Sequence, residues 1–479
     1  MLWRAVGTLV AMTVLGRDAM LVPLHAALRD AKGGEVELWA HRRRSAITRY
    51  AKDQVHQNAL ADETFVQARV AVKNAVGVAS ANSLEPADLR RLIADARAAA
   101  ELSVPNADWP GLAAPSAIDE PRSFDAATAD VDASAQAGPI RQIADAARAK
   151  GMRAAGTHQV ELVEEAVANT NGLGAYAPMT WAYLRALVLT DRGGSGWGED
   201  LAQRTVALDA AGVADRAIAK AARDHDRVQL EPGDYEAVFE ELAIAEVLRF
   251  VSLTGLTGQT LKDGRSFMAG SADPADKSGF GKTRFGEQVT GPKLSLWEDA
   301  LDPRTLAIPF DPEGTPKQRV TFVEGGVARG VVHDRQSAKW FGTKSTGHAA
   351  DGRRYAPGGH AGNLTMAGGD ATREQLIASV KKGVLITRFH YTNTPDPKRA
   401  TMTGTTRDGT FLIENGEITR ALANVRYRMS ALDLFAGIDL MGKQRLVRDW
   451  WSSNGMGSIV CLAPAVKVAR ATITGSSPL

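Results

Sequence analysis

Polar and apolar residues alternate along several stretches in the first half of the chain. Residues 64–72 place Val66 and Val70 on one side and Gln67 and Arg69 on the other. A period of two residues is that of a strand with one buried face, so this stretch is predicted to be a strand. Other β-like stretches lie at residues 75–79, after a turn at Lys73–Asn74, and within residues 159–191, with a hairpin turn at Asn171–Gly172.

Helical spacing appears after Pro86, where Leu89, Leu92, Ile93 and Ala96 fall on one face. Proline fits the first turn of a helix, so Pro86 marks the start of a predicted helix.

Two stretches of the first half have the composition of loops. Residues 103–139 are rich in Pro, Ala, Ser and Asp and predict a long surface loop, with a helix after it at residues 141–150. The glycines of residues 193–198 lack the G-x-G-x-x-G order of a phosphate-binding turn, so we interpret them as a flexible connection. An Ala-rich helix over residues 200–222 is predicted to follow. The first domain is therefore expected to be α+β, an antiparallel sheet with helices.

The pattern changes after residue 225. Pro232 and Asp234 predict the start of a helix over residues 235–253, with the Asp234 carboxylate as its N-cap. Beyond residue 255 Gly, Thr, Asp and Pro increase and helical periodicity is rare. This composition predicts a mainly antiparallel β domain with few helices, which are expected near residues 373–382 and 430–435.

The most strongly patterned part of the second half is residues 383–420. It begins with an apolar, β-rich run at residues 384–389, and a polar loop marked by prolines follows around residues 395–397. Asp408–Gly409 and Asn415–Gly416 are pairs that accept positive φ in tight hairpin turns. The stretch therefore predicts a three-stranded meander with hairpin turns at these two pairs.

A chain of 479 residues exceeds one ordinary hydrophobic core, so two domains are expected. We divide it into residues 18–225 and residues 226–479, preceded by residues 1–17, an apolar extension or first helix, with a targeting signal as the alternative. The apolar run of residues 5–16 is shorter than the roughly 20 residues that span a bilayer, and no membrane is expected as a partner. The single cysteine, Cys461, excludes an internal disulfide framework and fits a cytoplasmic location.

The net charge of +2 gives no electrostatic reason to expect nucleic acid as a partner. Arg42, Arg43 and Arg44 lie between two β-like pieces of residues 35–50 and form the basic run that could favour it. Three charges at a strand end are usually a solvated face, so a nucleic-acid partner is not expected.

Several sequence runs together resemble the TldD/PmbA family, also called modulators of DNA gyrase. They are KSTGHA at 344–349, NLTMAGGD at 363–370, GVLITRFHYTN at 383–393, DPKRATMTGTTRDGTFLIENGEI at 396–418 and, upstream, EPGDYEAVF at 231–239. The resemblance covers nearly the whole chain. It implies an α+β fold of two domains whose C-terminal domain, residues 226–479, is β-rich and metallopeptidase-like.

The family contains two kinds of subunit, which the resemblance implies form a heterodimer. TldD-type members are zinc peptidases with an HExxxH sequence and a cysteine near the C-terminus, and PmbA-type (TldE-type) members lack these ligands. Here the histidine positions align with Glu240 and Ala245, and Glu241 aligns with the general base. Alanine cannot ligate a metal. Where the cysteine is expected, the chain has Ser452 and Ser453.

We therefore expect no metal and assign no catalytic residue in this chain, with zinc expected only in a TldD-type partner. Glu240, Glu241 and Glu246 could bind a hard cation, but we interpret them as the solvated or ion-paired side of an amphipathic helix. Cys461 is predicted to be a buried, small apolar residue.

Five polar residues of the family motifs are predicted to line a peptide cavity. They are His348, Arg388, His390, Asn393 and Arg407. A structural hydrogen bond is the alternative role for His390, and a metal site in a loop is the alternative for His348 with His360.

The expected function is that of a PmbA-type, non-metal subunit of a TldD/TldE-like metallopeptidase complex. The chain, inactive alone, would help to enclose and position extended peptides, unfolded or ribosomally made, for trimming by the zinc-bearing partner. One alternative is an autonomous hydrolase that uses Glu241 with His348, His360 or His390. Another is a protein that binds peptides or nucleic acid without peptidase function.

Overall fold

The computed structural model describes residues 13–270, 282–351, 358–453 and 459–477. A six-stranded sheet with helices is built from the first half, and an eleven-stranded sheet with few helices is built from the second. The predicted α+β class is confirmed. No helix within the described ranges is long and apolar enough to cross a membrane. Most of the predicted N-terminal extension, residues 1–12, lies outside these ranges, and the predicted boundary at residue 225 stays a prediction.

The first sheet is an antiparallel meander. Its strands are β1 Glu35–Ala51, β2 Gln54–Val72, β3 Ala75–Ala81, β4 Arg153–Asn169, β5 Gly174–Leu189 and β6 Ser195–Ala202. They lie in the order β3-β2-β1-β4-β5-β6, and all neighbours are antiparallel. The predicted turns at Lys73–Asn74 and Asn171–Gly172 connect β2 to β3 and β4 to β5, so both are confirmed.

Helices cover one face of this sheet. They are α1 Arg17–Asp30, α2 Pro86–Glu101, α3 Ala126–Ala129, α4 Ala133–Arg148 and α5 Ala210–Arg223, with a 3₁₀ turn at Thr205–Ala207. Successive residues of a strand point to opposite faces. Val36 and Leu38 of β1 therefore pack in the core beneath α1 and α2, whereas Trp39 points the other way and packs with Ile308 and Phe310 of the second half.

The basic run of β1 is not a solvated strand end. Residues 35–50 form one strand rather than two pieces, and Arg42 and Arg44 are 6% exposed. Arg42 Nη1 lies 2.7 Å from a carboxylate oxygen of Glu164, and Arg44 Nε lies 3.0 Å from one of Asp62. Because these guanidinium groups are neutralised inside the fold, they offer no cationic surface to nucleic acid.

Two loop predictions for the first half are wrong. The predicted loop of residues 103–139 contains α3, and α4 begins inside it at Ala133. Residues 195–198 of the glycine run form the start of β6, and the following helix begins only at Ala210. A Cβ on Gly198 would collide with the carbonyl oxygen of Val213 in α5. Glycine is needed here because helix and strand backbones pack closely, and not because the chain must be flexible.

The second half forms the larger sheet. Its strands are β7 Gly233–Phe239, β8 Leu296–Glu298, β9 Val320–Glu324, β10 Val327–Ala328, β11 Asn363–Met366, β12 Lys382–Asp396, β13 Thr401–Glu414, β14 Glu417–Ala421, β15 Val425–Ser430, β16 Ile438–Arg448 and β17 Val460–Ser476. Its helices are α6 Glu241–Gly255, α7 Gly258–Lys262, α8 Arg335–Trp340, α9 Arg373–Ala378, α10 Ala431–Ala436 and α11 Trp450–Ser453. The helices predicted near residues 373–382 and 430–435 are confirmed as α9 and α10.

Five strands of this sheet close into a ring, in the order β17-β15-β13-β12-β7 with β7 pairing back to β17. Most pairs are antiparallel, and β12 with β7 and β11 with β17 are parallel. Helix α6 follows β7 directly and packs against β12, β16 and β17. It is buried along most of its length, from Ala243 to Ser252.

The helix predicted over residues 235–253 begins six residues later than expected. Residues 233–239 form β7, and Asp234 accepts a hydrogen bond from the Thr472 hydroxyl of β17 at 2.6 Å instead of capping a helix. Pairing with two neighbouring strands thus overrides the local helix-start signal.

The strand pattern of residues 383–420 is confirmed in part. Strand β12 continues to Asp396, through the predicted proline loop, and the chain reverses at residues 397–400. Asn415–Gly416 is the predicted hairpin turn. Asp408–Gly409 is not a turn: both residues have positive φ, yet they form a bulge inside β13, where pairing with β12 shifts register. The Asp408 carboxylate pairs with Arg388 across the bulge. The positive φ values therefore serve a bulge with an ion pair and not a hairpin turn.

Candidate functional site

The junction of β7 and α6 is where the chain would need metal ligands. Strand β7 is held between β12 and β17, and the backbone N–H of Glu240 donates to Ile386 O at 3.0 Å. This pairing fixes Glu240 as the residue before the helix, with Glu241 in the first turn and Ala245 one turn further on.

Two cations hold Glu240. Lys220 Nζ of α5 lies 2.7 Å from one of its carboxylate oxygens, and Arg373 Nε of α9 lies 2.9 Å from the other. Burial opposes ionisation, but Lys220 and Arg373 outweigh it and lower the pKa of Glu240 to about 2. Glu240 is 6% exposed. Of the two predicted alternatives for its carboxylate, solvated or ion-paired, the solvated one is therefore wrong and the ion-paired one is correct.

The neighbouring positions carry no metal-binding arrangement. Ala245 is buried without a donor atom, and Cys461 Sγ lies 4.0 Å from its carbonyl oxygen. Burial raises the pKa of the Cys461 thiol, which disfavours the thiolate that a metal needs. The prediction that Cys461 is buried is confirmed, although its position against Ala245 was not expected.

A guanidinium group lies beside these positions. Arg249 is one helical turn after Ala245, and its Nη1 lies 3.7 Å from Asp449 and 3.3 Å from the Ser452 hydroxyl. Ser452 in turn donates to the Asp449 carboxylate.

The residues at α6 do not fit zinc. A catalytic zinc site uses about three protein ligands. Glu240 is already paired with two cations, and Ala245 has no donor atom. Within the described ranges, no three His, Cys, Asp or Glu side chains are grouped so that they could hold a metal ion.

Two further carboxylates of α6 have separate roles. Glu241, at the general-base position, is partly exposed and lies 3.5 Å from Arg445 Nη1. Glu246 is buried and accepts a hydrogen bond from Thr392, whose hydroxyl lies 2.6 Å from that of Tyr427. Burial raises the pKa of Glu246 to about 7. The solvated helix face predicted for this residue is therefore wrong, because α6 is buried on almost every side.

Four of the five predicted cavity residues lie on β12 and β13. Arg388 is buried, with its Nε 3.0 Å from Asp408 and its guanidinium carbon 4.3 Å from the centre of the Trp197 ring. Arg407 Nη1 donates to His390 Nε2 at 2.8 Å. Burial, with the charges of Arg388 and Arg407, lowers the pKa of His390 to about 4. Asn393 is exposed and donates to the carbonyl oxygen of Tyr391.

The fifth, His348, lies in a different place. A cavity of about 240 Å³ separates the open face of the first sheet from the second half, and among the described residues His348 is the only one of the five that lines it. The first sheet contributes Trp39, His41, Arg43, Glu161, Glu165 and Trp181. The second half contributes Phe310, Lys317, His348, His360, Asn363 and Arg448.

Ion pairs stabilise both walls of this interdomain cavity. Arg43 and Glu161 approach to 2.6 Å, and His41 and Glu165 to 3.1 Å. On the opposite wall His348 Nε2 lies 3.3 Å from the buried Glu298.

His360 of the same wall is an uncharged histidine. Burial lowers its pKa to about 4, so its imidazole is neutral near pH 7.

The first-sheet wall was missed in the sequence although a signal was present. Positions 39, 41 and 43 of β1 and positions 159, 161, 163 and 165 of β4 are alternate residues, so each set projects from one face. Aromatic and charged side chains recur on that face. Nothing in the sequence indicated which loops of the second half would cover it.

Known proteins resemble this chain in sequence over part of its length and in fold over nearly all of it. Residues 232–475, just over half of the chain, match the PmbA/TldA metallopeptidase C-terminal domain. A metalloprotease TldD homolog of Haemophilus influenzae is 28% identical over 210 residues, 40% of this chain and 41% of that protein. Metalloprotease PmbA of Escherichia coli O157:H7 is 27% identical over 196 residues, 40% of this chain and 39% of that protein. The chain thus spans about two fifths of the length of the curated relatives that it matches.

The fold comparison extends further than the sequence comparison. The crystal structure of TldE from Thermococcus kodakarensis superposes with a TM-score of 0.82 at 20% identity, covering 95% of this chain and 100% of that one. At this identity the likeness concerns the fold alone, and it supports the α+β architecture of both halves. The match of residues 232–475 to the family model identifies the chain as a member of the PmbA/TldD family.

Proposed function

We propose that this chain is the non-metal, TldE-type subunit of a TldD/TldE-like peptidase complex, in which it encloses and positions extended peptides for a zinc-bearing TldD-type partner. The observation that carries the proposal is the pairing of Glu240 with Lys220 and Arg373 at the position of the first zinc ligand. With Ala245 at the second position, the residues present favour a charge-neutralised structural site over a metal centre.

The interdomain cavity supports a role in holding peptides. Its walls combine aromatic rings with charged and amide side chains, as ligand pockets do. A cytoplasmic location stays a prediction, which cell fractionation would test.

Co-expression with a TldD-type subunit tests the proposal. We expect the two chains to copurify and an unfolded peptide to be cleaved only by the pair. The matched control is the same pair with the HExxxH glutamate of the partner replaced by glutamine, which should assemble and not cleave. Cleavage by this chain alone, with one zinc retained per chain, would contradict the proposal.

A further inference from the structure

Arg448, at the end of β16, carries a buried charge on the wall of the interdomain cavity. It is 9% exposed, and its guanidinium carbon lies 4.5 Å from the centre of the Trp181 ring. Among the described residues, Nε of Arg448 has no hydrogen-bond partner and no carboxylate forms an ion pair with the side chain. A buried charge without a partner costs stability, so its presence requires a reason.

The two carboxylates whose charges act on Arg448 are already engaged. Glu161 accepts two hydrogen bonds from Arg43, each of 2.6 Å. Asp449 accepts from Ser452 and faces Arg249. The planar fork of Arg448 is therefore left to face the cavity.

A second unpartnered group lines the same cavity. Asn363, the first residue of β11, is 6% exposed, and its Oδ1 accepts no hydrogen bond from the described part of the chain. The cavity thus presents a guanidinium fork, which matches a carboxylate in shape and charge, and an amide oxygen that can accept an N–H. The C-terminus of a peptide carries both complementary groups on one residue, a carboxylate and an amide N–H.

We propose that the interdomain cavity binds the C-terminal carboxylate of a peptide, with Arg448 on the carboxylate and Asn363 Oδ1 accepting the last amide N–H. This inference rests on the proposed function and specifies its substrate as a peptide with a free C-terminus. The volume of about 240 Å³ lies below the roughly 300–1,000 Å³ of pockets for drug-sized ligands, which suits a terminal residue. Trp39 and Phe310 offer apolar surface to its side chain.

The rest of such a peptide has a path out of the cavity. Arg43, whose side chain is 31% exposed, and His41 also line a shallow groove along the open face of the first sheet. The groove continues past Phe65 of β2 to Asn82, beyond the end of β3.

Calorimetric titration of the full chain tests this inference with three related tripeptides. They are N-acetyl-Ala-Phe-Leu with a free carboxylate, the same peptide as its C-terminal amide, and N-acetyl-Asp-Phe-Leu amide, which carries a carboxylate only in a side chain. We expect the free acid to bind about 10- to 100-fold more tightly than either amide, because a hydrogen-bonded charge pair is lost in both.

Two variants assign that preference to the cavity. Arg448→Lys keeps the charge and loses the fork, and it should remove most of the preference for the acid. The matched control is Arg329→Met, an exposed arginine paired with Glu324, which should leave the preference unchanged.

Equal affinities for acid and amide, or an unchanged preference in Arg448→Lys, would overturn the inference. If the aspartate probe binds more tightly than the free acid, the inference is also overturned, in favour of recognition of a side-chain carboxylate. None of these results affects copurification with, and cleavage by, a TldD-type partner, so failure here and failure of the proposed function are distinguishable.

Discussion

The start of α6 and the interdomain cavity both bury charged side chains, but they compensate them differently. Glu240 has a cation on each carboxylate oxygen. In the cavity wall, Arg448 stacks on the Trp181 ring. No carboxylate of the described residues lies at ion-pair distance from it. Fully paired buried charges hold a fold together, whereas an unpaired one is tolerated where a ligand supplies the missing partner. The start of α6 thus has the features of a structural site, and the cavity has those of a binding site.

The largest effect on stability is expected from breaking the ion pairs of Glu240 at the start of α6. Lys220→Met leaves the buried Glu240 with Arg373 alone and should lower the free energy of unfolding by about 3–5 kcal/mol. Urea denaturation measures it. Lys443→Met, at an exposed position, is the control and should change stability by less than about 0.5 kcal/mol. A similar small change for Lys220→Met would mean that the pair does not hold the helix start.

Glu246 should give a pH-dependent effect of about 3 kcal/mol. Burial raises its pKa from 4.5 to about 7, so between these values the folded state keeps a proton that the unfolded chain has released. The wild type therefore loses stability as pH rises from 4.5 to 7, and Glu246→Gln should not lose this part. Denaturation curves at several pH values should show the variant gaining on the wild type over this range.

The control for Glu246 is Glu324→Gln, whose carboxylate is exposed. Its stability should follow that of the wild type at every pH. Parallel pH curves for Glu246→Gln and the wild type would contradict the assignment.

A smaller loss of stability is expected from displacing α5, the helix whose Lys220 pairs with Glu240. In Gly198→Ala the new methyl group collides with the Val213 carbonyl, and overpacking of this kind costs about 1–3 kcal/mol. Gly475→Ala has open space around the added atom and serves as the control in thermal unfolding. If both variants melt at the same temperature, the close helix–strand contact is not needed.

The smallest stability effect is expected in the cavity. Arg448→Met removes a buried charge that has no ion pair, so the gain from removing the charge offsets the lost stacking on Trp181. The free energy of unfolding should change by no more than about 1 kcal/mol, in contrast to Lys220→Met. A loss of 3 kcal/mol or more in urea denaturation would show that Arg448 is a structural residue like Lys220.

The sequence predicts elements well where one local signal dominates. The period-two pattern of residues 64–72 and the helix after Pro86 are both present in the structure. Sequence-based prediction fails where tertiary contacts place a local signal in a different structure. Asp408–Gly409 has the positive φ values of a turn but forms a bulge.

The sequence identifies which residues stand at the motif positions, but not the residues that pack against them. Glu240 and Ala245 could be read from the motif, but their neighbours come from elements distant in sequence. Lys220 lies on α5 and Arg373 on α9, and no local pattern places either beside Glu240. For the same reason, Arg388 was predicted to line a cavity and lies in a buried ion pair.

Zinc analysis of the purified chain tests the central claim most directly. The full chain and a TldD-type subunit are each incubated with equimolar zinc, desalted and measured by mass spectrometry, and peptide cleavage is assayed on the same samples. We predict one zinc per TldD-type subunit and far less than one per chain here, with no cleavage by this chain alone. One zinc retained per chain, together with cleavage of the peptide, would contradict the account.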